Sequence, residues 1–372
     1  MGVFARALWL VVRSILLPWQ WKIMITQKGS LKSFKTPNYN YVFDVSCGFF
    51  ARWGEKMKND PELSPFGPEI LDIEVSTICK KACAHCYKSN TQYGKNMSFE
   101  TFKEIFHKFP MFDGKHFLTQ IAFGIGDIDS NPEIWNMMAY VTHFNVIPNI
   151  TINGENLTTE FAQRLANICG AVSVSCYDID KCLNAVKQLN DAGLKQVNIH
   201  QLLSNETFDR CHTLLDLVKT DPRLVNLNSI VFLLLKPKGE RNVLTQVTSL
   251  EKYKTLVDKA FSNKIKIGFD SCSASSFLKA IKENENYEKI AKMVEPCEST
   301  LFSYYINAEG IGYPCSFAEG LPQFKGIDIL KSQDFIEDVW NNDETIQFRQ
   351  QLISNKDCLD CRNCQIYKLE MI

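Results

Sequence analysis

The chain carries almost no net charge. Its 372 residues include 41 Lys and Arg against 42 Asp and Glu, which gives a formal net charge of −1. Proteins that attract nucleic acid through their overall field need a clear excess of basic residues. The charge balance therefore does not indicate a nucleic-acid partner. A hydrophobic fraction of 45% is nevertheless sufficient for a large buried core.

Histidine is scarce, and the motifs of several common enzyme classes are missing. The six histidines include no H-E-x-x-H pair of zinc ligands. No glycine-rich phosphate loop ending in Gly-Lys-Ser/Thr is present, and no Ser-His-Asp arrangement stands out. Zinc peptidases, P-loop nucleotide hydrolases and serine hydrolases are therefore without support in this sequence.

Long hydrophobic runs are also absent. Near the start, the two apolar runs Leu8–Val12 and Ile15–Leu17 are separated by Arg13 and are too short to span a membrane. No small-residue cleavage site of the kind found in signal peptides follows them. We expect residues 1–22 to form a helix packed on the protein or on a partner. The alternative is an amphipathic helix that lies on a membrane surface through its tryptophans.

Cysteine, in contrast, is abundant, with fourteen residues in the chain. In a chain of this size such a number indicates metal binding rather than a disulfide framework. Cys79, Cys83 and Cys86 stand close together, directly after the apolar run 70–75. A four-iron cluster takes four thiolates, so three on one loop leave one iron open to a substrate or cofactor. The alternatives are a zinc knuckle with a remote fourth ligand, or buried structural thiols.

The Cx3Cx2C spacing, with His85 before the last cysteine, resembles the signature of the radical S-adenosylmethionine (SAM) superfamily. In that family the open iron of a [4Fe–4S] cluster binds SAM. One electron then generates a 5′-deoxyadenosyl radical, which abstracts hydrogen from the substrate. The resemblance runs from about Glu69 to the C-terminus. It implies a cluster on the three cysteines, an electron donor of the flavodoxin or ferredoxin type and, because the cluster is oxygen-sensitive, a cytoplasmic location.

Past the cysteine loop, strand-like and helix-like segments alternate. With the first strand they predict an α/β fold, a partial (βα)6 TIM-type barrel whose active site lies at the C-terminal ends of the strands. The predicted strands are Phe117–Phe123, Asn149–Asn153, Ala171–Cys176, Gln196–Leu203 and Ser229–Lys236. The predicted helices are Ser98–Phe109, Pro132–Phe144, Thr158–Ile168, Ile179–Ala192 and Glu206–Lys219.

The parts outside the barrel follow from weaker signals. The stretch from Asn38 to Gly54 predicts a two-stranded hairpin, and Pro61–Pro68 a linker. We therefore expect three domains: an N-terminal helix and hairpin with linker over 1–68, the barrel over 69–263, and a small cysteine-rich extension over 264–372.

The family resemblance also implies which strand ends contact SAM. After the second strand the chain has Gly-Ile-Gly-Asp where the family has Gly-Gly-Glu-Pro, so Asp127 is expected either to bind the SAM ammonium or to cap the following helix. The full set of expected SAM contacts is His85, Gly124, Gly126, Asp127, Asn153, Ser175, Gln201 and Lys236.

A second cysteine group lies near the C-terminus, as Cys297-x12-Gly310-x4-Cys315 followed by Cys358-x2-Cys361-x2-Cys364. It resembles the SPASM or twitch extension of radical SAM enzymes, which binds auxiliary clusters. Too few cysteines are present for two further four-iron clusters, so one auxiliary [4Fe–4S] cluster is expected. Its expected ligands are Cys297, Cys315, Cys361 and Cys364, with Cys272 as a substitute. A zinc site on the same thiolates is the alternative.

Because relatives with such extensions commonly modify ribosomally made peptides, the resemblance implies a SAM-dependent enzyme acting on a peptide or protein. The competing hypothesis is a non-catalytic iron–sulfur or zinc protein that serves as a scaffold or passes electrons. Fold and cofactor do not fix the substrate.

Overall fold

The structure is a computed structural model that describes residues 24–56, 60–354, 364, 366, 367 and 369. The helix predicted over residues 1–22, the expected ligand Cys361 and its neighbour Cys358 lie outside this range. Within the described residues, no helix is both long and apolar enough to cross a membrane.

The N-terminal region forms a four-stranded antiparallel sheet rather than the predicted hairpin. Its strands, paired in chain order, are β1 (Met24–Lys28), β2 (Leu31–Lys35), β3 (Asn40–Asp44) and β4 (Phe50–Trp53). The prediction found only β3 and β4. Lysines and other polar residues interrupt the alternation in β1 and β2, so their sequence resembles a loop.

The centre of the molecule is the predicted partial barrel. After β5 (Ile70–Glu74) comes a short hairpin of β6 (Met111–Phe112) and β7 (Lys115–His116), and the remaining barrel strands follow. These are β8 (Gln120–Gly124), β9 (Ile147–Ile152), β10 (Val172–Ser175), β11 (Val197–Leu203) and β12 (Ser229–Leu234). Strand β5 and strands β8 to β12 pair in parallel in this order, which confirms the six-stranded prediction.

The same sheet extends at both edges. On one side β13 (Ile267–Phe269) pairs in parallel with β12. On the other side β14 (Ser303–Ile306) pairs in parallel with β5, followed by antiparallel β15 (Ile311–Tyr313) and β16 (Ile327–Asp328). The resulting ten-stranded sheet is open, with β13 and β16 at its edges. These four strands were not predicted.

All five predicted barrel helices are confirmed. They are α1 (Phe99–Lys108), α2 (Ile134–Thr142), α3 (Thr159–Ile168), α4 (Ile179–Asp191) and α5 (Phe208–Thr220). Hydroxyl side chains cap two of them: the Ser98 hydroxyl accepts from the Thr101 N–H before α1, and the Thr158 hydroxyl accepts from the Phe161 N–H before α3. Later helices are α6 (Leu250–Ser262), α7 (Ala274–Ala280), α8 (Tyr287–Ala291) and α9 (Asp343–Ser354).

Successive strand residues alternate between the helix layer and the barrel interior. In β5, Leu71 and Ile73 are fully buried in the core, and each contributes on the order of 2 kcal/mol by leaving water. Asp72, which lies between them, and Glu74, which follows Ile73, face the barrel interior. Interior positions of the neighbouring strands are largely polar, such as Thr151 and His200. The barrel therefore has an apolar exterior under its helices and an interior suited to polar ligands.

Candidate functional site

The three cysteines of the first group lie on the loop that leaves the C-terminal end of β5. Backbone hydrogen bonds fix this loop: the Cys79 N–H donates to the Thr91 carbonyl at 2.9 Å, and the Cys86 N–H donates to the Cys83 carbonyl at 3.2 Å. Ala82 has a φ of +43°, in the left-handed region, where the chain reverses just before Cys83. All three thiols are half-buried, so a ligand at this site has access to them.

Two glycines allow neighbouring loops to close on the cysteine loop. A Cβ atom at Gly126 would lie 2.5 Å from the Cβ of Cys79 and 2.6 Å from the carbonyl oxygen of Ile78. A Cβ atom at Gly239, after β12, would lie 2.5 Å from the Cys86 carbonyl oxygen. Only glycine fits at either position. Gly239 was not found in the sequence analysis, because its partner is 153 positions away and no motif marks it. Gly124 is less crowded, at 3.3 Å from the Glu74 Cα.

Asp127 holds the cysteine loop instead of capping a helix. Its buried carboxylate accepts from the Lys80 N–H at 2.8 Å through Oδ2 and from the Asn153 side-chain amide at 2.7 Å through Oδ1. The capping role was wrong, because the N-cap residue of α2 is Glu133, which makes no side-chain cap, and the Glu133 N–H donates to the Asn131 side chain. Asp127 and Asn153 thus join the ends of β8 and β9 to the loop.

His85 lies against an aromatic side chain that follows β10. Its ring is 5.5 Å from the ring of Tyr177, and Lys81 Nζ lies 5.5 Å from the Tyr177 centroid. The Ser175 hydroxyl interacts with the Tyr177 phenol. Burial lowers the pKa of His85, and its buried Nε2 has no hydrogen-bond partner among the described residues. His85 and Ser175 are therefore brought to the same side of the loop.

Gln201 and Lys236 are not brought to the first cysteine group. Gln201 is fully buried on the helix side of β11, where its side chain interacts with the Cys211 thiol of α5. Its neighbour His200 occupies the interior position instead, because adjacent strand residues point to opposite faces. Lys236, after β12, forms an ion pair with Asp270 and lies beside the second cysteine group.

Four cysteines of the second group line one cavity of about 220 Å³: Cys272, Cys297, Cys315 and Cys364. Lys236, Asp72, Tyr305 and Phe317 are also among its lining residues. Burial raises the pKa of the Cys315 thiol to about 11 and that of Cys272 well above its usual range. Buried thiols of this kind ionise when a metal centre binds them, and release their protons.

The N-terminal sheet holds the segment that carries Cys297. Arg52 of β4 donates to the carboxylate of Glu298 at 2.7 Å, and the Ser299 hydroxyl donates to the Pro314 carbonyl. Residues adjacent to Cys297 and Cys315 are therefore linked to each other and to β4. This linkage could not be predicted, because the predicted hairpin offered no partner for Glu298.

The two cysteine groups meet at a junction formed by residues just after Cys86 and just after Cys315. The ring of Tyr87 stacks on that of Phe317 with centroids 4.4 Å apart. Lys88 pairs with Glu74 of β5 at 3.1 Å and with Glu319. The segments that follow Cys86 and Cys315 are therefore in direct contact.

The described cysteines of both groups offer thiolate ligands to a metal centre. Zinc requires its ligands to converge at 2.0–2.3 Å on one point. Across the described ranges, no three His, Cys, Asp or Glu side chains converge in this way. A four-iron cluster instead places each thiolate on a different iron. An all-thiolate donor set spread around a cavity fits such a cluster.

The chain is similar to known iron–sulfur proteins. The model of the SPASM family, an iron–sulfur cluster-binding domain, matches residues 297–365. No curated protein sequence matches the chain. Because the SPASM match covers both Cys297 and Cys315, it agrees with the predicted C-terminal extension.

Solved structures share the fold over most of the chain. Streptococcus suis SuiB bound to precursor peptide SuiA has a TM-score of 0.66 at 13% identity, over 91% of this chain and 93% of that one. SuiB bound to S-adenosylmethionine has a TM-score of 0.60 at 16% identity, over 80% of this chain and 71% of that one. Native anSMEcpe with bound AdoMet and Cp18Cys peptide has a TM-score of 0.54 at 16% identity, over 75% of this chain and 82% of that one. The likeness to these structures is one of fold, and the SPASM match covers the C-terminal part of the chain.

Proposed function

We propose that this protein is a radical SAM enzyme that modifies a peptide or protein and carries one auxiliary [4Fe–4S] cluster. The observation that carries the proposal is the closed loop of Cys79, Cys83 and Cys86 at the C-terminal end of the first barrel strand. Active sites of such barrels lie at this end. The domain division at residues 68 and 263 is part of the proposal, although β13 and β14 belong to the barrel sheet.

In this proposal Cys79, Cys83 and Cys86 hold the first cluster. When bound, the cluster and SAM supply a 5′-deoxyadenosyl radical that abstracts hydrogen from the substrate. The residues around the loop position it: Gly126 permits close approach of the backbone, while Asp127 and Asn153 fix the Lys80 peptide. Gly124, His85 and Ser175 are proposed to contact SAM.

A peptide or protein substrate is supported by two neighbours of the same fold, SuiB solved with precursor peptide SuiA and anSMEcpe solved with a Cp18Cys peptide. The polar barrel interior agrees with this, because peptide backbone groups need hydrogen-bonding partners when they leave water. We further propose a flavodoxin- or ferredoxin-type electron donor and a cytoplasmic, reducing location. Burial raises the pKa of the Asp72 carboxyl, which lines the cavity of the second cysteine group, to about 7.

The test is SAM cleavage by anaerobically reconstituted protein. We expect about eight irons per chain, and about half after Cys79, Cys83 and Cys86 are changed together to Ala. Dithionite-reduced protein should form 5′-deoxyadenosine and methionine slowly even without substrate, and the triple variant should form none. Fully iron-loaded protein that binds no SAM and forms no deoxyadenosine would instead support the non-catalytic scaffold.

A further inference from the structure

Cys272 occupies the same cavity as the cysteines matched by the SPASM family model. It lies outside the matched residues 297–365, yet it lines the cavity together with Cys297, Cys315 and Cys364. These four thiols come from four separate segments of the chain. A four-iron cluster takes four thiolates, so the described residues alone supply a complete set.

The segment that carries Cys272 is fixed to the barrel. Residues Ser271–Ser273 form a 3₁₀ turn directly after β13. The Asp270 N–H donates to the carbonyl of Phe232 in β12 at 3.1 Å. The Ser273 hydroxyl donates to the Asp270 carboxylate at 2.6 Å. Because these contacts hold the turn on both sides, Cys272 presents its thiol to the cavity from the rigid edge of the sheet.

The charges around Cys272 suit a cluster ligand better than an inert thiol. Lys236 is buried, with 6% of its surface exposed, and its ammonium lies beside the cavity in an ion pair with Asp270. Desolvation disfavours a buried ammonium, so its retention requires compensating negative charge. Asp270 supplies one such charge. Thiolates on a cluster would supply more, and Lys236 would in turn balance their charge.

We propose that Cys272 is a ligand of the auxiliary cluster and completes the set with Cys297, Cys315 and Cys364. Lys236 and Asp270 are then positioning residues next to that ligand. This inference rests on the auxiliary cluster of the proposed function, but it does not depend on SAM cleavage. It departs from the expectation that Cys361 fills the fourth position.

The first test uses the Cys79/Cys83/Cys86→Ala background, in which only the auxiliary cluster remains. This parent should hold about four irons. Adding Cys272→Ala should remove most of this iron or leave a three-iron signal in the electron paramagnetic resonance (EPR) spectrum. Adding Cys361→Ala should leave iron and spectrum unchanged, as should Cys211→Ala, which removes a buried thiol on α5. A Cys272→Ala protein that keeps full iron and an unchanged spectrum would overturn the proposal.

A second test needs no variant and so does not depend on folding. The wild-type protein is alkylated with iodoacetamide in native solution, before and after chelation of its iron, and each cysteine is followed by mass spectrometry. Removal of the iron should raise the labelling of Cys272 and leave that of Cys361 unchanged. The reverse pattern would assign the fourth position to Cys361. If the Cys79/Cys83/Cys86→Ala protein holds no iron, the auxiliary cluster and the ligand role of Cys272 are both contradicted. SAM cleavage by the wild type then still tests the first cluster separately.

Discussion

The Asp127 carboxylate accepts a hydrogen bond from the backbone N–H of Lys80 at 2.8 Å, within the loop that carries the first three cysteines. Asp127 belongs to the loop after β8, so this bond joins two strand ends. Its second oxygen accepts from Asn153 at the end of β9. A single buried carboxylate therefore connects three adjacent strand ends around the proposed cluster.

We predict that Asp127→Ala lowers the iron content of the first site and weakens SAM binding on the order of tenfold to a hundredfold. Hydrogen bonds to a charged group contribute roughly 1.5–3 kcal/mol, and their loss frees the Lys80 peptide. The measurements are iron content in protein whose auxiliary site is intact, and calorimetric titration with SAM. The neighbouring Asp129→Ala is the control, because Asp129 is exposed. Normal iron and normal SAM affinity in Asp127→Ala would show that the carboxylate does not organise the loop.

Gly126→Ala should also reduce first-site iron, for a steric reason. The added methyl carbon would lie 2.5 Å from the Cys79 Cβ and would push the two loops apart. Overpacking of this kind typically costs about 1–3 kcal/mol. The matched control is Gly268→Ala, where the nearest atom is 3.6 Å away. The iron content of the first site should fall in Gly126→Ala alone. Equal first-site iron in the two variants would contradict the close-approach role of Gly126.

The barrel could be predicted from the sequence because its strands and helices have strong, regular patterns. The strands that extend the barrel sheet at its two edges, β13 and β14 to β16, could not be predicted. Strand β13 has three residues and β14 four, and each is placed by pairing with a distant strand. Short strands with non-local partners carry little periodic signal of their own.

The candidate site shows a similar division. Cys79, Cys83 and Cys86 share one loop, so spacing alone located them. Gln201 was expected to contact SAM but is buried on the helix side of β11, because a shift of one residue along a strand moves a side chain to the other face. Cys272 stands 25 residues before Cys297 in the sequence. Only the position of β13 in the sheet brings it to the cavity of the second group.

Lys32 provides a test of pH-dependent stability. This lysine of β2 is 4% exposed and donates to the Leu118 carbonyl at 2.6 Å, and burial lowers its pKa to about 7. Above this pH the folded protein releases the proton, whereas the unfolded chain retains it until near pH 10. The unfolded state then binds more protons, so stability rises with pH across this window. The nearby His116 stays neutral there, because burial lowers its pKa to about 3.

We therefore expect the free energy of unfolding of the wild type to rise relative to Lys32→Met, by up to about 1.4 kcal/mol per pH unit from pH 7 to 10. Chemical denaturation of both proteins at pH 7, 8 and 9 measures this difference. The exposed Lys28→Met should show no such divergence from the wild type. Parallel curves for wild type and Lys32→Met would mean that the Lys32 pKa is not lowered.

The last prediction concerns Arg52, whose side chain joins the N-terminal sheet to both other parts of the protein. Its Nε donates to the carboxylate of Glu69, just before β5, at 2.9 Å. Its Nη2 donates to Glu298, next to Cys297, at 2.7 Å. The guanidinium also lies over the ring of Phe302, 3.8 Å from its centroid. Burial raises the pKa of Glu69 to about 8, and Arg52 opposes that shift.

Arg52→Met should destabilise the protein by about 3–5 kcal/mol, because it leaves the buried carboxylate of Glu69 and the half-buried one of Glu298 without their cation. It should also lower the iron of the auxiliary site more than that of the first site, because Glu298 then no longer holds the segment of Cys297. Denaturant titration and EPR of the reduced protein measure the two effects.

Glu295→Gln is the matched control, since Glu295 meets Arg52 only at 3.7 Å and is half exposed, so its loss should cost less than about 1 kcal/mol. Arg52→Lys separates charge from geometry: a lysine keeps the cation but cannot hold Glu69 and Glu298 together through separate nitrogens. If Arg52→Lys restores stability but not auxiliary iron, the guanidinium positions the Cys297 segment by its geometry. If Arg52→Met leaves auxiliary iron unchanged, the N-terminal sheet does not contribute to that site.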